Sequence, residues 1–373
     1  MNKRTNSHSQ PSRVLHFVPG FRLGGIESLL MSLYRSLDKS MMQFDFIVDT
    51  LDTLPEFDEI RAAGGRVFQM GRYLDNPVKY QISIEKLLKT HGQEYIALHC
   101  HSIIRALPVL LSAKRFGIAK RIIHSHTDRL DRSKYTLALP LISKVTALVA
   151  TDYWACSNAA GAFFFGKKQY RIINNTIKTK QFIFDENNRV RIRKQLNIGD
   201  NQLVIGHTGR FTYQKNHDFL IEVFSELHRI QPESKLLLIG DGPLKLDIQK
   251  TVATLGLTKA VIFAGAQSDI TSYLSAMDVF FLPSHYEGFC ISLLEAQANG
   301  LPCLASDVVP NEVQLTSSVT TCKLKSTTTQ YAHKLLELRN IGRTESAKNI
   351  LTIQQSGYDT DMQLSKLLDM YSI

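Results

Sequence analysis

The segment Pro283-Ser-His-Tyr-Glu-Gly-Phe-Cys-Ile-Ser-Leu-Leu-Glu295 carries two carboxylates, Glu287 and Glu295, eight residues apart. A very apolar run, VFFLP, leads into the loop with Glu287 and Gly288, and a helix is expected over Ser292–Asn299. Gly288 lets backbone approach a ligand closely. The free N–H groups around Phe289, Cys290, Ile291 and Ser292 form a natural phosphate site. The two carboxylates can accept hydroxyl donors from a sugar and a ribose, although a helix-dipole role for Glu295 and a solvated Glu287 explain the same letters.

A second segment, Gly209-Arg-Phe-Thr-Tyr-Gln-Lys-Asn-His217, sets Arg210 and Lys215 five residues apart in a loop after the apolar run LVIGHT. Two cations at a strand end can hold a diphosphate, the arginine as a fork and the lysine as a point charge. A third, Pro19-Gly-Phe-Arg-Leu-Gly-Gly-Ile-Glu27, opens a helix with Gly24 and Gly25. It is a phosphate-friendly turn that matches neither GxGxxG nor a P-loop. In a fourth, Arg121-Ile-Ile-His-Ser-His-Thr-Asp128, His124, His126 and Asp128 alternate along an extended segment, and His99 and His101 repeat the alternation earlier. Metal hydrolases use HxHxD spacing, but no later His/Asp set completes a metal site. Hydrogen bonding to a sugar hydroxyl or phosphate, or a structural place for His99 and His124, fits the spacing as well.

These loops need elements to hold them. Short apolar runs alternate with helical patterns from RVLHFV (Arg13–Val18) to LPCLAS (Leu301–Ser306), which predicts βαβ units and parallel sheets. A chain of 373 residues suits two such domains. The expected division is a disordered lead-in over 1–12, an N-terminal Rossmann-like domain over 13–185, a C-terminal one over 186–355, and a helix over 356–373 returning to the first. The charged stretch from Phe184 to Asn201 is the expected junction. Ligands of open α/β sheets bind at strand C-termini, so two such rows are expected to face one central cleft.

Composition narrows the setting. No uninterrupted apolar stretch is long enough to span a bilayer, the polar N-terminus does not read as a secretory signal, and the five scattered cysteines fit a reducing compartment. Residues 1–185 carry 26 Lys+Arg against 15 Asp+Glu, while the remainder is nearly balanced at 18 against 19. The first half is therefore expected to meet something anionic. No helix-turn-helix, RNP-like strand or zinc finger supports a nucleic acid.

Taken together the segments resemble the retaining glycosyltransferases called group 1, or family 4, with the GT-B fold: α/β, two Rossmann-like parallel-sheet domains facing a central cleft. The resemblance rests on Glu287 and Glu295 at the family's spacing, Gly209-Arg210-Phe211 with Lys215-Asn216, the turn Gly240-Asp241-Gly242-Pro243, and Gly24-Gly25-Ile26-Glu27. It implies that Glu287 contacts the donor sugar, that Glu295 holds the ribose, and that Arg210 and Lys215 bind the diphosphate. It also implies that the backbone of Gly288, Phe289 and Cys290 lies against sugar and phosphate, and that Gly24 and Gly25 approach from the other domain. His126 matches the family's active-site histidine. The catalytic set is thus His126, Glu287, Arg210 and Lys215, with no metal and no cofactor. The expected reaction is transfer of a hexosyl group from a nucleotide sugar, UDP-linked, to a glycan or lipid-diphosphate-linked saccharide with retention, in cell-surface polysaccharide synthesis. The setting is cytoplasmic, with peripheral contact to the inner leaflet through Lys114-Arg115, Lys120-Arg121, Arg129, Arg132, Lys134 and Lys167-Lys168. A nucleotide-sugar epimerase of the same fold is the rival reading. A metal-dependent hydrolase built on His124, His126 and Asp128 is a more distant one.

Overall fold

The computed structural model describes residues 10–21, 25–126 and 139–372. Gly24, Asp128, Arg129, Arg132, Lys134 and most of the polar lead-in lie outside the described residues. The chain forms two compact units, residues 1–175 with 360–373, and residues 176–359.

The first unit holds β1 (Ser12–Val18), β2 (Met42–Val48), β3 (Val67–Gln69), β4 (Tyr95–Cys100), β5 (Lys120–Ser125), β6 (Asp152–Ala155) and β7 (Arg171–Ile172). They form one parallel sheet in the order β3-β2-β1-β4-β5-β6-β7. Successive side chains of a strand point to opposite faces, so β1 feeds two cores. Leu15 and Phe17 pack on one side with Leu98 and Ile123. Val14 and Val18 pack on the other with Phe44, Phe46, Ala97, Ile122 and Trp154. Leu364, Leu367 and Tyr371 of the helix Thr360–Ser372 join this second core.

The second unit holds β8 (Val204–Thr208), β9 (Lys235–Ile239), β10 (Val261–Gly265), β11 (Val279–Leu282), β12 (Cys303–Ser306) and β13 (Val319–Cys322), in the parallel order β10-β9-β8-β11-β12-β13. In each sheet the strand order reverses beside the first strand, between β1 and β4 and between β8 and β11. The loops after β8 and β11 therefore leave neighbouring strands at a topological switch point, where α/β sheets bind ligands.

One sequence expectation changes. The stretch from Phe184 to Asn201 is not a junction: the boundary falls at 175/176, not after 185. The helix Glu186–Gln195, capped by Asp185 accepting from Asn188 N at 3.0 Å, lies within the second unit. Its charges are clamps, with Arg189 and Arg193 holding the two oxygens of Asp278 at 2.6 and 2.7 Å, just before β11. Charge composition reads as solvation, but here much of it is paired. The helix Pro77–His91 of the first unit starts where it does because Asn76 accepts from Lys79 N and proline suits the first turn.

Candidate active site

The site is built on the loops after β8 and β11. The first runs from Gly209 through a 3-10 turn, Tyr213–Lys215, to Asn216, whose left-handed φ of 55° re-aims the chain into the helix His217–Ile230. Asparagine tolerates that region better than most residues. The Asn216 amide then donates to the Pro283 carbonyl at 3.0 Å, and His285 N–H donates to the Gln214 carbonyl at 2.8 Å. Ser306 Oγ, from the end of β12, donates to the Ser284 carbonyl at 2.8 Å. These bonds lock the two loops together before any ligand arrives.

At the seam lies Glu287. Lys215 Nζ donates to its Oε1 at 2.6 Å, Ser284 Oγ to the same oxygen at 2.6 Å, and Gln214 Nε2 to Oε2 at 3.2 Å. The pair is largely withdrawn from water, with side-chain exposures of 15% for Lys215 and 3% for Glu287. Burial favours the neutral amine of Lys215, but Cys290 and Glu287 outweigh it and its pKa is raised. Burial pushes the neighbouring Cys290 thiol up to about 11. Sequence spacing pairs Lys215 with Arg210, whereas the structure pairs Lys215 with Glu287. The Arg210 guanidinium is exposed and has no ion pair or hydrogen bond among the described residues, which leaves its fork open to an anion.

The turn Gly240-Asp241-Gly242 shapes the Arg210 loop from behind. Gly240 adopts φ +137°, and a Cβ there would lie 2.1 Å from the Gly209 carbonyl oxygen. Phe211 N–H donates to the Asp241 carbonyl and Leu244 N–H to the Phe211 carbonyl. Gly288 differs: nothing of the protein lies within 4 Å of a Cβ there and its φ is not positive. Neither packing nor backbone conformation demands glycine at 288, so the open space beside it is available to a ligand. The helix Ile291–Ala298 begins directly after Cys290. On it, half-buried Glu295 has its carboxyl pushed up to about 8 by burial, and no hydrogen bond or ion pair reaches it among the described residues.

His126 belongs to a different construction, in the first unit. His16 of β1, His99 and His101 at the end of β4, and His124 and His126 at the end of β5 share one face of the sheet. His16 Nδ1 meets His101 Nε2 at 3.0 Å, and His101 Nδ1 meets His126 Nε2 at 2.9 Å. His99 bridges His124 at 3.2 Å and Tyr371 Oη at 2.6 Å. Burial holds all five below their ordinary pKa, His126 at about 4. Gly25 opens the helix Gly25–Ser36 that follows β1.

Sequence reading missed Gln214, Ser284, His16 and Tyr371, and took Asn216 only as part of the Lys215-Asn216 motif. Only His16, a histidine inside an apolar run, left a local trace.

Some basic residues expected on an anionic surface are committed internally. Arg121 donates to the carbonyls of Val149, Ile118 and Ala119. Lys120 reaches the Met370 carbonyl. These two are structural, which corrects the expectation for them, whereas Arg115 stays exposed in a surface pair with Glu85 at 3.1 Å.

Comparison with known proteins gives the family and the fold. The family model described as glycosyl transferases group 1 matches residues 188–349. The putative glycosyltransferase EpsF of Bacillus subtilis (strain 168) is 31% identical over 376 residues, covering 98% of each chain. An Escherichia coli protein, UDP-Gal:alpha-D-GlcNAc-diphosphoundecaprenol alpha-1,3-galactosyltransferase, is 26% identical over 303 residues, 78% of each chain. The chain therefore belongs to the group 1 glycosyltransferases. Its fold is that of Anabaena HepE in complex with UDP-glucose, with TM-score 0.77 at 17% identity over 96% of this chain and 99% of that one. WaaG, a glycosyltransferase involved in lipopolysaccharide biosynthesis, superposes with TM-score 0.70 at 16% identity, over 96% and 99%.

Proposed function

We propose that the chain transfers a hexosyl group from a UDP-sugar to a glycan or lipid-diphosphate-linked saccharide, retaining the anomeric configuration, in the synthesis of a cell-surface polysaccharide. The observation that carries this reading is the Lys215–Glu287 pair, preorganised at the β8/β11 switch point in the same loop as an open Arg210. The UDP-sugar choice draws on HepE, described with UDP-glucose, and the acceptor on the diphosphoundecaprenol-linked substrate in the name of the E. coli relative.

In this reading Arg210, Lys215 and the N–H groups of Gly288, Phe289 and Cys290 hold the diphosphate. As the bond from the anomeric carbon to the phosphate oxygen breaks, they stabilise the growing charge without reorganising. Glu287, already held by three donors, accepts from donor-sugar hydroxyls, and Glu295 accepts from the ribose. The acceptor oxygen attacks from the face the phosphate leaves, and its proton passes to the departing phosphate oxygen. His126 is assigned the role of hydrogen bonding to a sugar hydroxyl or phosphate. No metal or cofactor is required in this scheme.

No helix among the described residues is long and apolar enough to cross a membrane. Peripheral contact is supported by the helix Leu139–Val149, where Leu141, Val145 and Leu148 are exposed at helical spacing beside Lys144. Lys168 braces this helix by donating to the Ala147 carbonyl.

Calorimetric titration with UDP, GDP and their sugars tests the reading. UDP and a UDP-sugar are expected to bind, and Arg210→Ala, which disturbs no internal contact, is expected to weaken both at least about tenfold, the scale of one lost charge-assisted bond. Unchanged UDP affinity in Arg210→Ala would sink the site assignment. A product with the opposite anomeric configuration would sink retention.

A further inference from the structure

The five-histidine array of the first unit does more than the transfer reaction asks of it. His-x-His occurs twice, at the ends of adjacent parallel strands. Cys100 of β4 pairs with Ile123 of β5, so His101 and His124 are the next residues on each. One nitrogen from each of His101, His124 and His126 lies within 4.8 Å of the other two. His101 Nδ1 and His126 Nε2 stand 2.9 Å apart. Two donors of a tetrahedral zinc site, each about 2.05 Å from the ion, stand about 3.3 Å apart, so the two rings need to part by only a few tenths of an ångström to admit one.

One further observation points to a ligand. His124 Nε2, the ring nitrogen that does not meet His99, is buried and has no hydrogen-bond partner among the described residues. Polar atoms withdrawn from water are normally satisfied. His124 is itself only 2% exposed. His126, by contrast, is half-buried and offers the way in.

We propose that His101, His124 and His126 bind one borderline divalent transition-metal ion of the Zn2+ class. Three imidazoles and no carboxylate suit zinc, nickel or copper, whereas magnesium and calcium require oxygen ligands. The ion takes the place of the proton shared between His101 and His126. His99, which touches His124, and His16, which touches His101, stand behind as hydrogen-bonding supports of the ligand rings. The site uses none of the second unit's loops assigned to the nucleotide sugar; it shares only His126 with the proposed transfer site, and the ion-binding test reads metal retention rather than transfer.

Untagged full-length protein, stripped with a chelator, is dialysed against Zn2+ and separately titrated with Co2+. One equivalent of Zn2+ is expected to survive desalting. Co2+ is expected to produce visible ligand-field bands that Zn2+ abolishes. His126→Gln, at the half-buried ligand, is expected to weaken Zn2+ binding at least about tenfold, in line with loss of a ligand-shell contact. If wild-type protein retains no Zn2+ and gives no Co2+ bands, the proposal fails without recourse to any variant. It fails equally if a folded His126→Gln protein binds Zn2+ as tightly as wild type, because the ion then sits elsewhere.

Discussion

Replacing Lys215 with methionine keeps the length of the side chain and removes its charge. Glu287 is then left 3% exposed with Ser284 and Gln214 as its remaining donors. Breaking one side of a buried ion pair costs roughly 3–5 kcal/mol, and the two surviving hydrogen bonds place this case near the lower end, about 3 kcal/mol. For a unit the size of residues 176–359, that corresponds to a loss in Tm of about 6–12 °C. Adding Glu287→Gln removes the stranded charge while keeping an acceptor for Ser284. The double variant is therefore expected to recover at least about 1 kcal/mol relative to Lys215→Met. UDP affinity behaves differently: both variants lack the cation and neither is expected to regain binding. Thermal and urea unfolding of the three proteins, with calorimetry of UDP on each, reads the two effects separately. A Lys215→Met Tm within a degree of wild type, or a double variant no more stable than the single, would refute the claim that the pair is a buried, preorganised charge couple.

Burial raises the Glu295 carboxyl from 4.5 to about 8, so the folded protein keeps a proton that the unfolded chain releases. Its contribution to stability is full below about pH 4.5 and is lost as pH rises through about 8. Glu295→Gln should remove this part of the pH dependence of the urea midpoint, and UDP binding near pH 7 should release a proton, visible as a buffer-dependent binding enthalpy. Gly240→Ala places a Cβ against the Gly209 carbonyl at a φ of +137°, and should cost roughly 1–3 kcal/mol or more in unfolding free energy. Gly288→Ala has free space and should leave stability within about 0.5 kcal/mol while weakening UDP-sugar binding; unchanged donor affinity there would count against the proposed sugar position. Leu141→Ser with Leu148→Ser should reduce co-sedimentation with anionic liposomes at low salt, and equal sedimentation would remove this helix from any membrane contact.

The alternation of short apolar runs with helical stretches was enough to determine two parallel-sheet units, because strands buried on both faces must be apolar almost throughout. The Arg210 and Glu287 loops were legible for a similar reason, since chemistry-bearing residues stand where apolar runs stop. The boundary was not legible, because an arginine that will hold Asp278 has the same letter as one that faces water. Nor was β13, whose sequence VTTC at the sheet edge is only partly buried and carries no continuous apolar signal.

From its letters alone, the chain determined its family resemblance and its fold class, and marked the segment Glu287 to Glu295 as a candidate place for chemistry. Only the tertiary structure decided what those residues are to one another. Sheet order brings β8 beside β11 across 75 residues of sequence, so Lys215 meets Glu287 while Arg210 stays open. The same geometry turns scattered histidines on three strands into one buried array closed by Tyr371 from the last helix. Local sequence cannot carry such information, because side-chain burial and pairing are set by strand neighbours whose order the spacing of apolar runs does not specify.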